Sequence, residues 1–149
     1  MNTIQKQADF IGGLCELYSV PVRNIKILQG GQIIIHDTNN CYEFECVLDS
    51  IEHSCPSKED KGGTTYQHKV TAQVYGITEE TSKKLLKLKR DKHLILYKNY
   101  RGLYFYAGDK EIGLQFSFEE NTSLNIYSVQ FSGDLLYTRK AGSLPVLAP

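Results

Sequence analysis

Tyr66-Gln67-His68-Lys69-Val70-Thr71-Ala72-Gln73-Val74-Tyr75 is the stretch whose reading decides the fold. Val70, Ala72 and Val74 fall on one face, and Gln67, Lys69, Thr71 and Gln73 on the other. A period of two is the mark of a half-buried strand. Gly76 breaks the pattern and Thr78 opens a helix. Four more apolar runs then follow before Gly133. The order strand, helix, then four strands predicts a sheet with one helix laid against it.

The helix is expected over about 78–91. Thr78 is a good N-cap, Glu79 and Glu80 sit in the first turn, and Lys87, Lys89 and Arg90 sit in the last. That charge order complements the helix dipole. Leu85 and Leu88 lie three apart and supply a narrow apolar stripe. His93 to Tyr97 is apolar on both faces, which places it as a central strand. Leu103 to Ala107, Ile112 to Phe118 and Tyr127 to Phe131 follow as short strands between polar turns. This is the grammar of an up-and-down antiparallel sheet.

On the N-terminal side, Leu14 to Val20 and Asn24 to Leu28 read as strands, with Pro21 between them. Gly30-Gly31 is a turn and Ile33-Ile34-Ile35 a short buried strand. Cys41 to Leu48 alternates, so Tyr42, Phe44, Cys46 and Leu48 are expected inward. The polar stretch from Asp49 to Gly63 lies between two good strands and reads as the long loop of a β-hairpin. Ile51 and His53 are placed to extend its ladder part of the way. The expectation is one mainly β domain over 1–149, an antiparallel sandwich or partly closed barrel. Residues 1–9 and 139–149 are expected as terminal arms.

The chain carries 17 Lys plus Arg and 17 Asp plus Glu, for a net charge of zero. Tight binding of nucleic-acid backbone needs a basic excess, so that class is disfavoured. No run of apolar residues is long enough for a membrane-spanning helix. The polar start, Met1 to Gln7, has no apolar signal-peptide core. Four cysteines are then expected as free thiols in a reducing cytoplasm.

Candidate chemistry is sparse. Cys41, Cys46, His53 and Cys55 are spaced unlike a zinc knuckle, and Cys41 and Cys46 fall on opposite strand faces. His36, His53, His68 and His93 are each isolated in their segments. No nucleophile elbow or phosphate loop is present. The sequence therefore predicts no catalytic, cofactor-binding or metal residues and a protein that is not an enzyme. Lys83, Lys84, Lys87, Lys89, Arg90 and Lys92 read as a solvated helix face. Tyr97, Tyr100, Tyr104 and Tyr106 motivate an alternative: a β-sandwich binding module for a glycan, peptide or single-stranded nucleic acid.

From Gly63 to Gly133 the chain resembles a known group. A polar loop ends in Gly-Gly-Thr-Thr-Tyr, followed by the alternating strand and the helix. A buried strand and a hairpin with a Gly-Asp turn come next, then Leu114-Gln115-Phe116-Ser117-Phe118 and a closing Tyr127-Ser128-Val129-Gln130-Phe131-Ser132-Gly133. This order resembles the neck and tail ring proteins of tailed bacteriophages, including crAss-like and related gut phages, with their tail-tube-like fold. The resemblance implies a virion structural protein, made in the host cytoplasm, that forms sixfold or twelvefold homo-oligomeric rings. Adjacent neck or tail rings or the portal would be its partners, and DNA would pass through without specific binding. It implies no membrane partner and no cofactor. Carried onto this chain, Ile51, Glu52, His53, Lys58, Glu59, Asp60 and Lys61 would form the contact between rings. Arg139, Leu144, Val146 and Leu147 would lock neighbouring subunits.

Overall fold

The decisive stretch is a long strand. A computed structural model describes residues 14–149, and the expected arm at 1–9 lies outside them. In it the strand runs Gly63–Tyr75 (β7). Before β7 come β1 (Leu14–Pro21), β2 (Ile25–Gln29), β3 (Gln32–Ile35), β4 (Tyr42–Phe44), β5 (Glu52–Ser54) and β6 (Ser57–Asp60). After it come α1 (Glu79–Leu88), β8 (Lys92–Asn99), β9 (Tyr104–Ala107), β10 (Leu114–Asn121), β11 (Ile126–Leu135), β12 (Lys140–Gly142) and β13 (Val146–Leu147). The fold is mainly β with one α-helix among the described residues, as the periodicities require.

Ten strands form one large sheet, whose main path is β12-β9-β8-β10-β11-β7-β5. Its pairings are antiparallel. The sheet does not close into a barrel. A bridge from Cys46 to Val74, with the Val47 amide on the Gln73 carbonyl at 2.7 Å, ties the segment after β4 to β7. A second sheet, β13-β3-β2, has three strands.

The central role of β8 is visible in its partners and its burial. It pairs with β1 along one edge and with β9 and β10 along the other. Ile95 and Tyr97 enter a large core with Leu17, Val70, Phe116, Tyr127 and Phe131. Leu94 and Leu96 enter a smaller core with Val20, Ile25, Ile33, Ile35 and Tyr106. The helix closes the large core with Leu85 and Leu88. It starts where Thr78 accepts from the Thr81 amide and ends at Leu88, short of position 91. Arg90 and Asp91 continue it only as turns, their amides bonded to Lys87 and Leu88 carbonyls.

Three expectations need correction. The strand expected over Cys41–Leu48 is regular only at Tyr42–Phe44. Leu48 points out and is 78% exposed, because the chain leaves the ladder to cross to β7. The loop at 49–63 is ordered as β5 and β6, both paired with β7. Only Lys61 and Gly62 remain as its turn, where the Asp60 side chain accepts the Gly62 amide. The segment 139–149 is no free arm. It folds back as β12 on β9 and as β13 on β3. Gly31 makes that docking possible: its φ is +80°, and a Cβ there would lie 2.5 Å from the Ala141 carbonyl.

Candidate functional site

Two features stand out once the chain is folded: a projecting ribbon and a chain of buried polar rings at its root. Both grow from β7. Its C-terminal part, Tyr66 to Tyr75, pairs with β11. Its first residues, Gly63 to Thr65, run past the end of β11 and pair only with β6, opposite Asp60, Glu59 and Lys58. The result is a two-stranded ribbon that extends roughly 12 Å beyond the sheet. Every residue from Pro56 to Thr64 is exposed. Isolated two-stranded ribbons are marginal in water, so this one depends on its root.

Of the seven residues assigned to the contact between rings, Lys58, Glu59, Asp60 and Lys61 sit on this ribbon and are exposed. Glu52 is exposed on β5, farther down. Ile51 and His53 do not belong to the tip. Ile51 is 5% exposed in the large core, and His53 turns inward. Alternation dictates this: Glu52 and Ser54 face water, so His53 faces the body. In the tail, the Arg139 guanidinium lies 4.6 Å from the Phe105 ring centre. Val146 and Leu147 hydrogen-bond along β3 with half their surface exposed, and Leu144 is also exposed.

At the ribbon root, His53 and His68 meet. Nε2 of His53 lies 2.8 Å from Nδ1 of His68, and the rings stack at 5.1 Å. Nε2 of His68 is 2.6 Å from the Tyr137 carbonyl, which can only accept, so His68 donates from Nε2. Its Nδ1 is then the acceptor for Nε2–H of His53. Nδ1 of His53, left with a lone pair, accepts from the Tyr97 hydroxyl at 2.7 Å. Every polar atom in this chain of rings has a partner. Burial, with added effects from His68 and Arg139, pushes His53 down to about 4. Burial raises the Tyr97 phenol and pushes Tyr137 up to about 12.

Cys55 completes the cluster. Its sulfur and one nitrogen from each of His53 and His68 lie within 4.8 Å of one another. The other thiols lie elsewhere. Cys41 packs on the small core and Cys46 on the large one, on opposite sides as their odd spacing requires. Burial raises the Cys41 thiol and pushes Cys46 up to about 12. All four cysteines are free.

Sequence reasoning missed the His53–Cys55–His68 grouping, because the ligand-type residues come from two strands. Register brings them together, and it becomes visible only once β5 is paired with β7. His53 and Cys55 share one face of β5 and its extension. The pairing of His53 with Val70 and of Ser54 with Lys69 sets Cys55 opposite His68.

The basic helix face is partly self-neutralised: Lys83 pairs with Glu79 at 3.2 Å and Lys84 with Glu80 at 3.4 Å. The tyrosine group proposed for a binding module does not form one surface. Tyr97 is buried in the large core and Tyr106 in the small one, because successive positions of β8 and β9 face opposite cores. Only Tyr100 is strongly exposed, and its hydroxyl donates to Asp49 at 2.9 Å. An open groove of about 570 Å³ crosses the outer face of β7, β11 and β10. Thr71, Gln73, Ser117, Ser128 and Gln130 line it, the outward halves of alternating strands. Among the described residues no helix is long and apolar enough to cross a membrane. No protein-family model, curated protein or solved structure matches this chain.

Proposed function

We propose that this chain is a non-enzymatic assembly subunit, one that builds a ring in the neck or tail of a tailed phage. The projecting ribbon, β6 with the start of β7, carries the reading. It spends ordered backbone where it buries almost nothing, and its outer edge, on β6, presents backbone groups that no other described residue pairs. Such an edge pairs readily with another chain. Lys58, Glu59, Asp60 and Lys61 put both signs of charge there, which suits a repeated contact between identical subunits. Further support comes from the ribbon being continuous with β7, so a load on it passes straight into the large sheet. A net charge of zero suits a conduit that lets DNA slide. Within this reading, DNA passes without specific binding and neighbouring rings or the portal are the partners.

Mass photometry and negative-stain imaging test it. The wild-type chain should form closed rings at high concentration or with a neighbouring ring protein. A variant with Ser57–Thr65 replaced by a two-residue Asn-Gly turn should keep its circular dichroism spectrum and stay monomeric. Wild-type protein that stays monomeric under all of these conditions would overturn the reading.

A further inference from the structure

We propose that His53, Cys55 and His68 form a binding site for a divalent metal, Zn²⁺ by donor chemistry, at the root of the ribbon. The inference stands whether or not the ring reading does. Three donors already converge within 4.8 Å. Two imidazoles and one thiolate are the borderline-soft set that Zn²⁺ takes, in preference to the oxygen ligands of Mg²⁺ or Ca²⁺.

The outer hydrogen bonds argue more strongly than proximity. A metal-binding histidine normally fixes its ring by giving its other N–H to an oxygen. His68 does so: its Nε2 is held by the Tyr137 carbonyl, which leaves Nδ1 turned toward His53. His53 has the matching oxygen in place but the opposite tautomer: its Nδ1 faces the Tyr97 oxygen and its Nε2 faces His68, so its proton must change nitrogens before Nε2 can ligate. The two inward nitrogens are 2.8 Å apart. A tetrahedral Zn²⁺ with bonds of about 2.0–2.1 Å would separate them to about 3.3 Å, a shift of roughly half an ångström. Cys55 is half-buried beside them and supplies the third bond. Water takes the fourth position.

Without metal, His53 carries its proton on Nε2 and Cys55 is a thiol. On binding, the His53 proton moves to Nδ1 and donates to the Tyr97 oxygen. His68 keeps its proton on Nε2. The thiol proton leaves to solvent, so one proton is released for each metal bound. Arg139, close enough to bear on both His53 and Tyr97, opposes the added positive charge. The bound thiolate offsets it in part. The metal would join β5, β7 and, through the Tyr137 carbonyl, the chain leading to β12.

Metal-stripped full-length chain titrated with Zn²⁺ and with Co²⁺ tests this. Calorimetry in buffers of different ionisation enthalpy should give one site and one proton released. Co²⁺ should give a thiolate-to-metal charge-transfer band and the visible spectrum of a tetrahedral ion. Cys55→Ser, at a half-buried position that leaves the core intact, should abolish the band. It should also weaken Zn²⁺ binding more than about 100-fold, since even outer hydrogen-bond partners are worth about 10–100-fold. Cys15→Ser, at an exposed thiol, should change neither. No Zn²⁺ uptake, uptake without the thiolate band, or equal affinity in folded Cys55→Ser would each overturn the proposal.

Discussion

Tyr137→Phe removes one oxygen and tests whether the C-terminal segment belongs to its own subunit. The Tyr137 hydroxyl accepts from the Gly108 amide at 3.0 Å and donates to the Gly108 carbonyl. Gly108 is buried just past the end of β9, with φ +122°, and a Cβ there would lie 2.8 Å from the Leu94 Cα. Among the described residues, no side chain other than Tyr137 is bonded to those two backbone groups. A buried amide left without its partner costs about 1–3 kcal/mol, and an ordinary hydrogen bond contributes about 1 kcal/mol net. Both Gly108 groups lose their partner at once, but the phenyl ring keeps its packing against His68. The expected loss is therefore about 2 kcal/mol. For a chain of this length that lowers Tm by roughly 4–8 °C. Urea unfolding of the monomer, with m unchanged, is the assay. A loss below about 0.5 kcal/mol, together with impaired assembly, would refute the docking described here and hand the tail to a neighbouring subunit.

Phe131→Ala should cost about 3–5 kcal/mol, because Phe131 is fully buried against Phe44, Phe116 and His93. Leu136→Ser, at a position 74% exposed, should stay within about 0.5 kcal/mol in the same urea titration. His93 sets a pH dependence. Its Nε2 donates to the Leu88 carbonyl at 2.7 Å, and burial holds its pKa below the usual 6.5. The unfolded chain thus takes up a proton near pH 6.5 that the folded chain refuses. Stability must then fall as pH drops from 6.5 into the lowered range, by at most about 1.4 kcal/mol per pH unit for this one group. In metal-free buffer, His93→Gln should flatten the urea-derived slope between pH 6.5 and 5. An unchanged slope would remove His93 from the cause.

What the sequence disclosed follows the strength of its periodicities. Val70, Ala72 and Val74 alternate cleanly, and β7 forms where they stand. His93 to Tyr97 is apolar on both faces, and β8 is sandwiched between two cores. The helix was legible from its cap and charges but overshot at its end, because Lys89 to Asp91 are helix-compatible residues that the turn into β8 claims. The segment 49–63 misled for a physical reason. From Ser57 to Gly63 its residues are polar on both faces, as a ribbon in water must be, so no hydrophobic alternation marks β6; only Ile51 and His53 point to the ladder below it. The tail misled because β12 and β13 are three and two residues long, below any readable period. The clustered histidines were illegible for a third reason: register is a property of pairs of strands, and neither strand alone contains it.

The choice of residues at the ribbon root raises a question that packing does not answer. A site where β5 faces β7 above a large apolar core could be filled by leucine or phenylalanine. Apolar replacements of matched shape are often neutral or stabilising relative to a buried polar pair. Here the chain instead places two imidazoles, two phenols and a thiol, and satisfies the rings with one directed line of hydrogen bonds. That line fixes ring orientation more tightly than apolar packing would, since each ring nitrogen has a single compatible partner. It also couples three segments far apart in sequence: β5, β7 and the residues leading to β12. Loss of any one member leaves a buried donor or acceptor unpaired in the others. The ribbon's aim is therefore set by polar chemistry at its base, where the exposed strands above it have nothing to hold them. Under the proposed ring reading, a contact made by the ribbon with another subunit would inherit that fixed direction, as a repeating assembly would require.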